Sequence, residues 1–277
     1  IMGLLRKEQI AGMNCHYYNY SLDYFMDSME MCGYETVALW GGAPHFYLDY
    51  LTYSNCREIR RKASRHGLKI GCFTASSGTY GYQMGMQPVS QRERVYQYYV
   101  NGIKAAAELG AGMMSMNSGW GYWNEDRQEA WKRSKDMIVR LCQAAEKEGI
   151  VLTMESLRRA ESQLAYDLEN TKKLFEEVNH PALKLMIDTT AMGVAGETPR
   201  QWFEALGKDI VNTHFIDGNP YGHLVWGDGT SDLESWLEIL KEYHYEGILG
   251  LEITARRYYE DPMAADRRNI DALLKFT

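Results

Sequence analysis

The stretch "LMIDTTAMGV", residues 185–194, decides how the rest of the chain is read. Leu185 to Ile187, with Lys184 before them, have the character of a buried strand, yet the run ends directly on Asp188 and continues into small and apolar residues. An unpaired carboxylate beside a core costs several kcal/mol or shifts its pKa until it neutralises. Asp188 therefore requires a partner, and the place to look is the end of other apolar runs of the same kind.

Such runs recur. They stand at 10–15 ("IAGMNC"), 36–40 ("TVALW"), 69–73 ("KIGCF"), 112–116 ("GMMSM"), 150–155 ("IVLTME"), 184–188, 210–215 ("IVNTHF") and 248–253 ("ILGLEI"). Between them lie segments of helical period, such as "SLDYFMDSMEMCG" stopping at Gly33, "QRERVYQYYVNGIKAAAELG" stopping at Gly110 and "EAWKRSKDMIVRLCQAAEKEG" stopping at Gly149. A strand-helix unit repeated at roughly 25–40 residues predicts an α/β protein, a closed (β/α)8 TIM barrel, with residues 1–277 as one domain. An open doubly wound sheet would carry fewer strands and a glycine fingerprint after the first, and "AGMNCHYY" (11–18) holds no G-x-G-x-x-G.

In a barrel the C-terminal ends of the strands converge on one mouth. Glu155, Asp188, His214 and Glu252 sit at or near the ends of strands five to eight, so residues far apart in the chain become neighbours there. Three carboxylates crowded without a cation repel one another; a divalent ion cancels the repulsion and suits an oxygen-rich shell with one imidazole. Asp188 thus acquires its partner, one divalent metal ion, with Mn²⁺ the first choice and Mg²⁺, Co²⁺ or Zn²⁺ the alternatives. The following loops supply candidate substrate contacts: Glu161, His223 in the glycine-rich "GNPYGHLVWGDG", Trp40 and His45 in "LWGGAPH", and Asn117. Trp120 and Trp123 suit either the same mouth or a subunit interface. The tyrosine pairs 17/18, 98/99 and 258/259 read as packing or interface, and Arg158 and Arg159 as a solvated loop.

Composition narrows the function further. Of 277 residues, 45% are hydrophobic and 24% charged, enough for a large core, and the net charge of −7 without a basic block argues against a nucleic-acid partner. Five widely spaced cysteines with no C-x-x-C pair predict free thiols in a reducing compartment. No apolar run approaches the ~20 residues of a membrane span, and the opening "IMGLLRKEQI" shows no signal-peptide core. The expectation is a cytoplasmic protein without a membrane partner.

The set Glu155, Asp188, His214 and Glu252 resembles the sugar isomerase/epimerase superfamily of xylose-isomerase-like TIM barrels over nearly the whole chain. Shared features are "GYETVALWGGAPH" (33–45), "MESLRRAES" (154–162), "MIDTTA" (186–191), "HFIDGNPYGHLVWGDG" (214–229) and "YEGILGLEI" (245–253). The resemblance implies an isomerase: a metal-dependent 3-epimerase of a ketose, or of a ketose-amine such as fructoselysine, working through an enediolate. It implies that Glu155 and Glu252 exchange the proton while Asp188 and His214 complete the metal shell, and that the enzyme is a homo-oligomer, dimer or tetramer. Where the related ketohexose 3-epimerases have a histidine three residues after the metal aspartate and an arginine six after the metal histidine, this chain has Ala191 and Pro220. Two other readings share the fold: a metal-dependent lyase acting on a 3-keto C-glycoside with a partner subunit, and an abasic-site endonuclease. The second is disfavoured by a total of seven histidines and the acidic charge.

Overall fold

Among the residues that the computed structural model describes, 3–77 and 81–277, eight parallel strands close on themselves in sequence order: β1 (Ile10–Met13), β2 (Thr36–Trp40), β3 (Lys69–Thr74), β4 (Met113–Asn117), β5 (Val151–Glu155), β6 (Leu183–Asp188), β7 (Ile210–His214) and β8 (Ile248–Leu251). Strands buried on both faces read as near-continuous apolar runs rather than alternating ones, which is why they were legible. The helices that return the chain lie outside the barrel: α1 (Leu22–Cys32), α2 (Tyr53–Arg65), α3 (Val89–Leu109), α4 (Arg127–Glu148), α5 (Leu168–Val178), a short α6 (Thr189–Val194), α7 (Pro199–Leu206), α8 (Leu233–Glu242) and α9 (Pro262–Leu274). α1 starts where Ser21 Oγ accepts the Tyr24 N–H at 3.1 Å. It ends on Gly33 in the left-handed region, as α3 and α4 end on Gly110 and Gly149, the conformation that glycine adopts without a Cβ penalty.

Seven of the eight expected strands shift a limit by one or two residues, and three of these shifts bear on the site. The first strand stops at Met13 because Asn14 turns its side chain into a rung of the sheet: Asn14 Oδ1 accepts the Trp40 N–H at 2.6 Å and Asn14 Nδ2 donates to the Trp40 carbonyl at 3.0 Å. The chain then enters a 3₁₀ turn at Cys15–Tyr17. The fourth strand extends to Asn117, and the eighth closes at Leu251, leaving Glu252 just past its end.

The main core fills the space between the barrel and its helices, with Phe25, Phe73, Tyr99, Trp202 and Phe215 among its large buried side chains. Inside the barrel a buried polar layer replaces hydrocarbon. Asn212 Nδ2 donates to Ser115 Oγ at 3.0 Å and to Thr153 Oγ1 at 3.4 Å, and those two hydroxyls lie 3.1 Å apart. All five cysteines are buried and unpaired. Among the described residues no helix is long and apolar enough to cross a membrane.

Candidate metal centre

Asp188 is held by the helix it starts. Its Oδ1 accepts the backbone N–H groups of Thr190 (2.7 Å) and Ala191 (3.1 Å) and the Thr190 hydroxyl (2.8 Å), an N-cap that fixes the carboxylate. Oδ2 is left to face the barrel mouth. The register shift between β6 and β7 then decides its neighbour: Leu185 pairs with Ile210 but Met186 pairs with Asn212, so Val211 is bulged out and Asp188 comes opposite His214. In unbroken register Asp188 would lie opposite Thr213, and a one-residue slip turns a side chain to the other face of the sheet. Gly250 pairs with His214 on the other side. A Cβ there would stand 2.9 Å from the Thr213 carbonyl oxygen and 3.5 Å from the His214 ring, so glycine lets the two strands approach.

The four strand-end residues meet. One ligand atom from each of Glu155, Asp188, His214 and Glu252 lies within 4.8 Å of the others. His214 Nδ1 is 2.7 Å from Glu155 Oε1 and 3.2 Å from Glu252 Oε2. His223 joins them from the loop after β7, its Nε2 3.2 Å from Asp188 Oδ2 and its Nδ1 3.0 Å from Glu252 Oε2. His223 takes a left-handed backbone, φ 47°, uncommon for a residue other than glycine.

Electrostatics follow from burial and crowding. Burial pushes Glu155 up to about 7 against the opposing pull of His214. Burial would lower His214, but Glu252 and Glu155 outweigh it and hold the imidazole at about 9. His223 is likewise desolvated, yet Asp188 beside it raises it well above the ordinary histidine value. Asp188 and Glu252 are driven below the ordinary carboxylate range, burial being overcome by His223 and His214 respectively. Three carboxylates thus draw protons onto two imidazoles. The same donor set, oxygen-rich with one imidazole among the four and no lysine or arginine, fits a divalent cation that would do the protons' work.

The cluster opens into a cavity of about 780 Å³. Glu155, Asp188, Glu252 and His223 line it, and so do three of the other expected contacts, Trp40, Asn117 and Glu161. Asn117 is fixed at both ends, donating to Ser77 Oγ at 2.8 Å and accepting the Gly119 N–H at 2.9 Å. Glu161 is paired with Arg158, whose Nη2 donates at 2.5 Å and whose backbone N–H donates at 3.0 Å. His214 is buried beneath the lining. His45 does not reach the cavity: Nδ1 lies 2.8 Å from Asn14 Nδ2 and Nε2 lies 2.8 Å from the Tyr20 carbonyl, so it braces the Asn14 rung under Trp40. Trp120 and Trp123 also lie off the lining.

Some lining residues were not anticipated. The expected solvated-loop Arg158 lies instead on the cavity wall, its guanidinium 4.0 Å over the Tyr221 ring; its place three residues before Glu161 was the available signal. The tyrosine pairs divide. Tyr17, Tyr98, Tyr99 and Tyr258 are buried packing residues, whereas Tyr18 and Tyr259 stack on each other, centroids 6.4 Å apart, at the cavity rim. No periodicity marks which member of a pair turns outward.

A family model described as Xylose isomerase-like TIM barrel matches residues 27–276. Fructoselysine 3-epimerase of Shigella flexneri is 24% identical over 249 residues, covering 89% of this chain and 90% of that protein. Among solved structures, the apo form of 3-keto-D-glucoside 4-epimerase from E. coli superposes with a TM-score of 0.82 at 19% identity, covering 97% of this chain and 99% of that one. D-psicose 3-epimerase with D-tagatose from Clostridium cellulolyticum H10 gives 0.80 at 16% identity, covering 96% of each chain.

Proposed function

The chain belongs to the xylose isomerase-like TIM barrel family and is an isomerase-type enzyme, and from that premise we propose that it is a divalent-metal-dependent 3-epimerase of a ketose or a ketose-amine conjugate such as fructoselysine. The observation that carries this reading is the convergence of Glu155, Asp188, His214 and Glu252, with ligand atoms within 4.8 Å of one another at the floor of a cavity.

Inverting a carbon next to a ketone requires a proton to leave one face and return to the other. Glu155 from the end of β5 and Glu252 from just past β8 reach the cluster from different sectors of the rim, and both are half-buried facing the cavity. In this reading one carboxylate removes the proton and the other returns it. Glu155, held near neutrality when the cluster is metal-free, is suited to carrying a proton in either direction; such transfer supplies ~10²–10⁴-fold of rate. A bound divalent ion, Mn²⁺ in the first instance and Mg²⁺, Co²⁺ or Zn²⁺ otherwise, supplies the charge that polarises the carbonyl and stabilises the enediolate. Asp188 and His214 complete the shell that holds it. Trp40, Asn117, Glu161 and His223 orient the substrate along the cavity wall, and His45 acts at one remove by steadying Trp40. A homo-oligomer in the cytoplasm completes the reading.

The test is proton exchange. Metal-stripped protein reloaded with Mn²⁺ is incubated with D-fructose, other ketoses and ketose-amine conjugates in D₂O. Metal-dependent deuterium incorporation at C3 of at least one is expected, and none for any of them would overturn the assignment.

A further inference from the structure

The cavity is large for a single sugar. A volume of about 780 Å³ falls in the range of sites that enclose drug-sized ligands, ~300–1,000 Å³, and is several times that of one hexose. Its inner end carries the acid cluster. On the β8–β1 side the cavity is lined by Tyr18, Asn19, Thr254, Arg256 and Tyr259, of which the first four are exposed to solvent and mark its outer end.

Arg256 differs from the other basic group on the lining. Arg158 is spent on Glu161 and on the face of Tyr221. The neighbouring Arg257 turns away and, with Arg268, pairs with Asp228. Arg256 is exposed to the cavity and has no carboxylate partner among the described residues. It does not sit on a loose segment. It opens the 3₁₀ turn Arg256–Tyr258, whose buried Tyr258 hydroxyl donates to Asp228 at 2.6 Å and accepts the Val225 N–H at 3.2 Å.

We propose that the substrate carries a carboxylate on the part remote from the acid–histidine cluster and that Arg256 receives it, with the Tyr18–Tyr259 pair packing against the connecting chain. The inference rests on the epimerase reading and deepens it. Near the cluster, three carboxylates would repel an anionic group; at the rim the unspent guanidinium attracts one and matches a carboxylate bidentately. One guanidinium balances a single negative charge, whereas a phosphate dianion would call for a second donor cation that the rim lacks among the described residues. Glu252 and Arg256 are four residues apart, so their Cα atoms are at most about 14 Å apart, which limits the connecting chain to a few methylene groups beyond the sugar.

The test uses two conjugates that differ only in the terminal anion: D-fructose joined through nitrogen to 6-aminohexanoate, and D-fructose joined to hexylamine. Each is titrated calorimetrically into Mn²⁺-loaded wild-type protein, Arg256→Gln and Arg256→Lys. The carboxylate-bearing conjugate is expected to bind wild type at least tenfold more tightly than its partner. In Arg256→Gln the difference falls below twofold, and Arg256→Lys restores part of it. Equal binding of the pair to wild type, a preference that survives in Arg256→Gln, or no binding of either conjugate overturns the proposal. If that happens while D-fructose still exchanges deuterium, only the carboxylate assignment fails. If the Arg256-dependent preference holds while no ketose exchanges, the epimerase reading fails instead.

Discussion

Replacing Glu252 by Gln keeps the side chain's size and an oxygen that can face a cation but removes the group that can take up a proton. With Mn²⁺ saturating, turnover is expected to fall at least ~100-fold, within the range of general acid–base transfer, while substrate affinity survives; steady-state kinetics and calorimetry separate the two, and unchanged turnover would remove Glu252 from the proton path. Asp188 invites a different separation because its two oxygens have different employers. Oδ1 caps α6 and Oδ2 faces His223 and the cluster. Serine caps a helix nearly as well as aspartate, so Asp188→Ser should be about 1 kcal/mol more stable in urea unfolding than Asp188→Ala, which lacks both cap and charge, yet bind Mn²⁺ at least tenfold more weakly than wild type. Asp188→Ala loses the cap as well as the ligand. Equal metal affinity in wild type and Asp188→Ser would show that Oδ2 is no ligand.

The loop that delivers His223 is organised as an element by one buried acid. Asp217 accepts four backbone N–H groups: Gly218 at 2.8 Å and Ser231 at 3.0 Å on Oδ1, Gly227 at 3.0 Å and Gly229 at 2.8 Å on Oδ2. Asp217→Asn offers a single acceptor oxygen, so at least one pair of amides loses its partner. Gly218 is buried, whereas Gly227 is exposed and Gly229 and Ser231 are half-buried and can turn to water, so at ~1–3 kcal/mol per unsatisfied buried group the substitution should cost about 1–3 kcal/mol in urea unfolding and speed hydrogen exchange at Gly227, Gly229 and Ser231. Gly229→Ala should do the same from the other side, since a Cβ there would stand 2.4 Å from Asp217 Oδ1 and from the Gly218 carbonyl oxygen. Exchange at those amides unchanged in both variants would mean that the loop holds its shape without the carboxylate. At this scale the sequence was partly readable. Strands buried on both faces announce themselves as apolar runs, left-handed glycines end α1, α3 and α4, and an acid closing a buried strand marks Glu155 and Asp188. The Asn14 side-chain rung, the bulge at Val211 that brings Asp188 opposite His214, and the outward turn of Tyr18 and Tyr259 carry no such mark. Each depends on what a neighbouring strand or loop does, and that partner is remote in the chain.

For the whole molecule, the metal-free cluster couples folding to pH in a direction that an ion should reverse. Glu155, at about 7, and His214, at about 9, both bind protons more tightly in the folded protein than in the unfolded chain, where their ordinary values are 4.5 and 6.5. A raised value gives stability that is complete below the unfolded value and lost as pH rises through the folded one, so the metal-free protein should lose stability between about pH 5 and pH 9. Asp188 and Glu252 are lowered and act oppositely: their contribution is present above their unfolded values of 3.8 and 4.5 and is lost as pH falls below them. The metal-free optimum is therefore mildly acidic. Binding of a divalent ion must displace the protons on His214 and Glu155, so metal affinity should rise over the interval in which the metal-free protein weakens, and ligand stabilisation grows with affinity as RT ln(1 + [L]/Kd). Thermal unfolding at fixed Mn²⁺, set against chelator-treated protein from pH 5 to 9, should show a gap in Tm that widens with pH, and calorimetry in buffers of different ionisation enthalpy should show proton release on binding. A gap independent of pH, with no proton released, would mean that the protons and the ion do not compete for the same oxygens and imidazole.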